Sequence, residues 1–400
     1  MTYRHLIFFI FPPMKIVKLK RKEERRILRG HPWIFSNELQ QTADMFVPGE
    51  IVDVQSHAGR FIGRGYINPN TLIAVRILTK KQEELDHGFF KRKITLAHSL
   101  RLKLGFEESY RAIYSEGDGL PGLIVDKYKD TLVVQSSTAG IDNLLHTIVP
   151  ALLEAYSPKA IILRNDITSR EIEGLGKEKR VIYGEISNPV TFTESGLYYS
   201  VDLLEGQKTG FFFDQRENRL ALERYVRGKR TLDCFCYIGA WSLTAARFGA
   251  QDVIGLDASE RAIALASQNA QLNGLSARFK KADVFIELHR LKQQHERFGC
   301  VILDPPAFVK SRTKIREALK GYKEINLCAM QLLEQGGILV TCSCSYHIDQ
   351  DLFREMLIDA AYGAGRRVRI LEMRTQARDH PILLTARETE YLKCAILIMD

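Results

Sequence analysis

The feature that most constrains the fold is a regular alternation of strand-like and helix-like runs from position 186 to the C-terminus. Strands are predicted over 230–236, 252–256, 277–281, 300–303 and 338–341. Helical periodicity fills the gaps, over 241–248, 260–272, 285–295, 314–333 and 351–361. Parallel strands need crossover connections, so this order predicts a largely parallel sheet with helices on its faces. Two β runs, 368–373 and 391–398, close the chain with no helical pattern between them, which predicts a terminal hairpin. In an open α/β sheet, ligands bind outside the carboxyl ends of the strands. The reactive residues are therefore sought in the segments that follow the strands.

The preceding half reads differently. Short segments with period-two alternation over 49–54 and 61–66, and a further run over 72–78, predict a small β barrel spanning 14–80. Its entry carries Lys15, Lys18, Lys20, Arg21, Lys22, Arg25, Arg26 and Arg29, a candidate phosphate-contacting stripe. Residues 81–185 read as a small central α/β domain: a helix, two strands, a second helix over 141–156 with Pro150 as a kink or break, then strands. The glycine-rich turn at 116–122 precedes a strand, not a helix N-terminus, so it reads as a hairpin turn and not a phosphate loop. Residues 1–13 hold an apolar stretch stopped by Pro12-Pro13. That stretch is too short to span a membrane, and the segment reads as a mis-assigned start or a disordered extension. The remaining 186–400 form the alternating domain.

At 400 residues the chain exceeds one compact core. Its net charge of +9 favours a polyanionic partner. Seven cysteines, an odd number, argue against a disulfide framework and for a reducing, cytoplasmic setting. No membrane span is expected, and self-association into a homodimer is left open.

A sheet closed by a hairpin is typical of class I methyltransferases and unlike a dinucleotide dehydrogenase. The loop after the first strand agrees. It contributes Asp233, Phe235 and Gly239, and its single glycine lacks the G-x-G-x-x-G pyrophosphate fingerprint. S-adenosylmethionine has no pyrophosphate and needs only one tight turn. Asp257 ends the second strand, where a carboxylate can accept both ribose hydroxyls. Asp283 follows the third strand, placed either to meet the adenine amine or to cap the next helix, with Val284 packing on the ring. Upstream, the run from Gly206 to Arg216 reads as an aromatic plug or as a lid whose Gln215 contacts the amino-acid end of the cofactor.

Asp304-Pro305-Pro306 follows one strand and Cys344 follows the next. The prolines stiffen the turn that presents the carboxylate. A thiolate at a strand end can add to carbon-6 of a pyrimidine and make carbon-5 nucleophilic. Asp304 would then hydrogen-bond ring N3 or the exocyclic amine. Other readings of Cys344 are a buried structural thiol or, with Cys234, Cys236 and Cys342, a metal site. The C-x-C spacing disfavours the metal, and none is expected. Cys342 lies further inside its strand and is the weaker nucleophile. Asp379-His380-Pro381 is one candidate source of the base that removes the carbon-5 proton, or else a plain turn.

These runs together resemble the large-subunit ribosomal RNA 5-methylcytosine methyltransferase I family, nearly end to end from Met14. The matching runs are Gly30-His31-Pro32-Trp33-Ile34-Phe35, 116–122, Lys208-Thr209-Gly210 with Asp214-Gln215-Arg216, Asp304-Pro305-Pro306-Ala307-Phe308, Gly321-Tyr322-Lys323, Ser343-Cys344-Ser345 and Asp379-His380-Pro381. The resemblance implies an N-terminal PUA RNA-binding domain, a small α/β middle domain and a C-terminal Rossmann-like methyltransferase domain. It also implies large-subunit ribosomal RNA as substrate, with Cys344 as nucleophile. Some relatives carry lysine at Ala307 and glycine at Tyr346. A guanine-N7 branch shares the first motifs without the cysteine. Two rival expectations are that other chemistry and an RNA-binding assembly protein with a vestigial methyltransferase fold.

Overall fold

The computed structural model describes residues 14–41, 45–308 and 314–400, so the expectation for 1–13 lies outside the described residues. The N-terminal part is a five-stranded sheet of order β1-β3-β4-β5-β2. Its strands are β1 (Lys15–Lys18), β2 (Trp33–Phe35), β3 (Glu50–Gln55), β4 (Phe61–Ile67) and β5 (Ile73–Thr79), with one short helix, α1 (Glu24–Leu28). Alternating residues such as Val52, Val54, Ile62 and Val75 fill its core.

The central part runs α2 (His87–Lys103), β6 (Ser109–Tyr114), β7 (Leu123–Tyr128), β8 (Thr131–Ser136), α3 (Ala139–Tyr156), β9 (Ala160–Arg164), α4 (Ser169–Ile172) and β10 (Lys179–Gly184). Its sheet has the order β10-β9-β8-β7-β6. Strand β8 was not expected. All six of its residues are buried at the middle of the sheet, so it shows no polar alternation. Helix α3 also departs from expectation, because Pro150 lies inside it without breaking it. The apolar face formed by Leu144, Ile148, Ala151 and Leu152 packs into the core and holds the two halves in line.

A two-stranded hairpin, β11 (Val190–Glu194) and β12 (Leu197–Val201), leads through α5 (Arg216–Leu220) into the large sheet. That sheet comprises β13 (Arg230–Cys234), β14 (Asp252–Asp257), β15 (Arg278–Lys281), β16 (Phe298–Leu303), β17 (Leu333–Ser343), β18 (Val368–Arg374) and β19 (Lys393–Met399). The helices between are α6 (Ala240–Arg247), α7 (Glu260–Leu272), α8 (Val284–Gln293), α9 (Ile315–Leu332) and α10 (Gln350–Ala364). The strand order is β15-β14-β13-β16-β17-β19-β18. Strands β13 to β17 run parallel, and β19 is antiparallel to both β17 and β18. The terminal hairpin is therefore present. The order reverses between β13 and β16, which opens a crevice at their carboxyl ends. Cys234 and Leu303 are register partners there, so Phe235 and Asp304 leave the sheet side by side. Among the described residues no helix is long and apolar enough to cross a membrane.

Candidate active site at the strand ends

A cavity of about 540 Å³ lies at this crevice. Asp304, Pro305, Cys344, Asp257 and Asp283 all line it. The half-buried carboxylate of Asp304 is held by two donors: Trp241 Nε1 reaches Oδ2 at 2.9 Å and Gln215 Nε2 reaches Oδ1 at 3.0 Å. Burial pushes its pKa up to about 6, with the nearby Asp214 charge adding to the shift and the indole and amide opposing it.

Cys344 follows the last residue of β17, and its thiol stands 3.9 Å from the carbonyl oxygen of Pro305. It is the one cysteine of the seven that is not fully buried. Burial of the thiol still raises its pKa. Lys208 pulls the other way, Asp304 and Asp214 add to the rise, and Lys393 again opposes it. Next along the chain, Ser345 shares a 2.9 Å hydrogen bond with the Tyr322 hydroxyl. Lys393 Nζ donates to the carbonyls of Ser345 and Tyr391 at 2.8 and 2.7 Å. The segment carrying the thiol is thus tied to α9 and β19.

The loop after β13 is tightly wound. Phe235 and Tyr237 adopt φ of 65° and 49°, a left-handed conformation that non-glycine residues rarely take and that clusters at functional sites. Tyr237 is fixed by its N–H donating to Asp257 Oδ2 at 3.0 Å, while Ser259 N–H donates to Oδ1 at 2.9 Å. Each oxygen of Asp257 keeps lone-pair capacity toward the cavity. Asp283 caps α8 through Ile286 N–H and also lines the cavity. Val284, Phe285 and Phe235 supply apolar lining. An adenosyl group needs an apolar slot with carboxylates at one end, and this set fits it.

The run from Gly206 to Arg216 divides its labour. Phe213 belongs to a buried aromatic cluster with Phe192 and Tyr128, and Phe211 packs on the same cluster. Gln207, Lys208, Phe212 and Gln215 line the cavity.

Other expected site residues lie elsewhere. Asp233 is fully buried behind the cavity, and its Oδ2 accepts from the Ser242 N–H and hydroxyl at 2.9 and 2.6 Å. Burial raises its carboxyl to about 7. Gly239 is also outside the wall. A Cβ there would come within 3.0 Å of Phe279, and this packing together with a φ of 86° accounts for the glycine. Cys342 is sealed in β17 opposite Cys394. The base suggested at Asp379-His380 is corrected: both side chains are buried, bonded to each other at 2.8 Å, and off the cavity wall. Asp379 also accepts from the Arg111 N–H at 2.9 Å and, through its carbonyl, from Arg101 at 2.7 Å. Burial pushes the Asp379 carboxyl up, but His380, Arg216 and the Arg111 N–H together more than offset this and leave it at about 2. This loop braces the central sheet. Among the described residues no group of three or more His, Cys, Asp and Glu is placed to hold a metal.

Trp241 and Tyr391, which line the cavity, and Lys393, which ties down the segment carrying Cys344, were not singled out from the sequence. Trp241 carried no sequence signal beyond its helix, and the other two sit beside a terminal strand that reads as structure.

Residues 17–80 match the PUA-like domain family, and residues 178–374 match the S-adenosylmethionine-dependent methyltransferase family. The ribosomal RNA large subunit methyltransferase I of Shewanella denitrificans is 41% identical over 386 residues, covering 94% of this chain and 97% of that protein. Its namesake in Tolumonas auensis is 40% identical over 389 residues, with the same coverage. Among solved structures, a SAM-dependent methyltransferase of Streptococcus mutans superposes with a TM-score of 0.83 at 21% identity, over 96% of this chain and all of that one. A second methyltransferase, complexed with SAH, gives 0.85 at 20% over the same share of this chain. These two likenesses concern the fold. The relatives match almost end to end, and the cavity suits an adenosyl cofactor, so the chain belongs to the ribosomal RNA large subunit methyltransferase I family and uses S-adenosylmethionine.

Proposed function

We propose that the protein methylates carbon-5 of a cytosine in large-subunit ribosomal RNA, with Cys344 as the covalent nucleophile. The observation that carries this reading is that Cys344 and Asp304 share one cavity with the cofactor wall. Phe235, Asp257, Asp283, Val284 and Gln215 are the residues proposed to hold S-adenosylmethionine, which when bound supplies an electrophilic methyl group. Asp233 and Gly239 support that loop from behind.

In this reading the Cys344 thiolate adds to carbon-6 and the ring electron pair moves toward N3. Carbon-5 becomes the nucleophilic atom of an enamine and would take the methyl group as that group's bond to the sulfonium sulfur breaks, with S-adenosylhomocysteine as the leaving group. Loss of the carbon-5 proton then expels the thiolate and restores the aromatic ring. Asp304, whose carboxyl burial raises to about 6, is assigned the hydrogen bond to ring N3 that stabilises the adduct. Burial raises the pKa of the Cys344 thiol, and Lys208 and Lys393 supply the field that favours its ionisation. The RNA reading rests on the PUA-like match and on the relatives' names, and also on five exposed cations: Lys18, Arg21, Lys22, Arg25 and Arg29. A division of the chain at 80/81 and 185/186 into RNA-binding, linking and catalytic parts belongs to the same reading, in line with the separate sheets.

The test is mass-spectrometric mapping of ribosomal RNA from cells carrying the wild-type protein, Cys344→Ala, or no protein. Loss of one 5-methylcytosine in the latter two is expected. Full methylation by Cys344→Ala would reject the covalent route.

A further inference from the structure

A second carboxylate faces the same cavity. Asp214 lines it together with Cys344 and Asp304, and is only 8% exposed. Its position is fixed twice. The Tyr391 hydroxyl donates to Oδ2, and the backbone carbonyl of Asp214 accepts from Ala377 N–H at 2.8 Å. The other carboxylate oxygen, Oδ1, is buried and has no hydrogen-bond partner among the described residues. Leaving a buried acceptor without a donor is costly, and at a residue that lines a cavity a ligand can supply the donor. Asp304 differs, because both of its oxygens already accept from Trp241 and Gln215. The Asp214 charge acts on both the Cys344 thiol and the Asp304 carboxyl, so it lies close to the proposed reacting ring.

Resting on the reading of a pyrimidine target in this cavity, we infer that Asp214 selects cytosine, its Oδ1 accepting a hydrogen bond from the exocyclic N4 amine. A carboxylate is a matched partner for that amine. Uracil would bring a carbonyl oxygen to the same place, setting two acceptors against each other. Tyr391 keeps the carboxylate from swinging to accommodate it. The two acids then have separate tasks, Asp304 at ring N3 and Asp214 at the amine. The other donors available in such a cavity belong to the cofactor (its ammonium, ribose hydroxyls and adenine amine), and the experiment separates these from the base.

The experiment uses the full chain and a synthetic ribosomal RNA fragment centred on the mapped target, made with cytosine or with uracil at that position. Single-turnover methyl transfer is measured for wild type and Asp214→Asn, and the affinity for S-adenosylhomocysteine is measured by calorimetry. In Asp214→Asn the amide oxygen can keep the Tyr391 hydrogen bond, which puts an N–H₂ donor where Oδ1 was. The cytosine-over-uracil rate ratio is expected to fall by roughly 10-fold or more, with the affinity for S-adenosylhomocysteine unchanged. An unchanged ratio overturns the assignment, and so does a weakened cofactor affinity with an unchanged ratio. If wild type makes no carbon-5 product on the cytosine RNA, the underlying reading fails, and this inference fails with it. Should Asp214→Asn not fold, Tyr391→Phe frees the carboxylate from its tether and is expected to lower the same ratio; a wild-type ratio there also overturns the assignment.

Discussion

The indole N–H of Trp241, in the first turn of α6, donates to Oδ2 of Asp304 at 2.9 Å, across the switch point between β13 and β16. The acid that follows β16 is therefore oriented by the helix that follows β13. The Gln215 amide completes the clamp from a third element.

The clamp makes the ionisation of Asp304 visible. Loss of its charge as pH falls through about 6 is expected to change Trp241 emission with a midpoint near that value. A Trp33→Phe background removes the only other tryptophan. Adding Asp304→Asn should abolish the transition. Adding Gln215→Ala instead removes a donor to the charged form and should move the midpoint upward.

Asp233 gives a stability signature with a defined sign. Its folded-state pKa is raised from 3.8 to about 7. Its contribution to stability is thus fully present below pH 3.8 and lost as pH rises through about 7. Asp233→Asn removes the buried charge. In urea unfolding it should exceed wild type by about 2 kcal/mol near pH 8 and by almost nothing near pH 4.

Lys208 is exposed and its charge favours the Cys344 thiolate. Lys208→Gln should therefore shift the pH midpoint for iodoacetamide labelling of Cys344 upward, read by peptide mass spectrometry. The shift should shrink at high salt, since an exposed charge is screened.

Arg101 is fully buried and forms a bidentate pair with Asp118 at 2.5 and 2.7 Å. The same guanidinium reaches the Asp379 carbonyl and so ties the central sheet to the loop before β19. Asp118→Asn would strand a buried cation, with an expected loss of about 3 kcal/mol in chemical denaturation. A change within about 0.5 kcal/mol, the ordinary range for surface sites, would deny the pair that role.

Lys18, Arg21, Lys22, Arg25 and Arg29 are exposed and make no side-chain hydrogen bond or ion pair among the described residues. Replacing Arg21, Lys22 and Arg25 by Ala should weaken binding to ribosomal RNA fragments uniformly across sequences. The slope of log affinity against log salt should fall by roughly one for each phosphate left without its cation. An unchanged slope would take the stripe out of the RNA interface.

Much of the fold was legible because it rests on local periodicity. The alternation placed every parallel strand of the large sheet, and the absence of a helix near the end gave the hairpin. Strand β8 escaped because a fully buried strand has no polar face to reveal it. Pro150 misled because tertiary packing outweighed its local helix-breaking tendency. The site was legible to the same depth. Asp257, Asp304 and Cys344 were found because each lies at or just past a strand end, and strand ends can be read one segment at a time.

The sequence by itself determined which residues leave the sheet at its carboxyl edge, since side-chain period and turn chemistry act over a few positions. Only the tertiary structure decided what those residues meet. It joined Trp241 and Gln215 to Asp304, kept Asp233 and Gly239 off the cavity wall, sealed Asp379 against His380, and brought Asp214 and Tyr391 into the cavity that Cys344 lines. Those contacts join elements tens to hundreds of residues apart, and close packing of whole layers, which no local pattern encodes, sets their geometry.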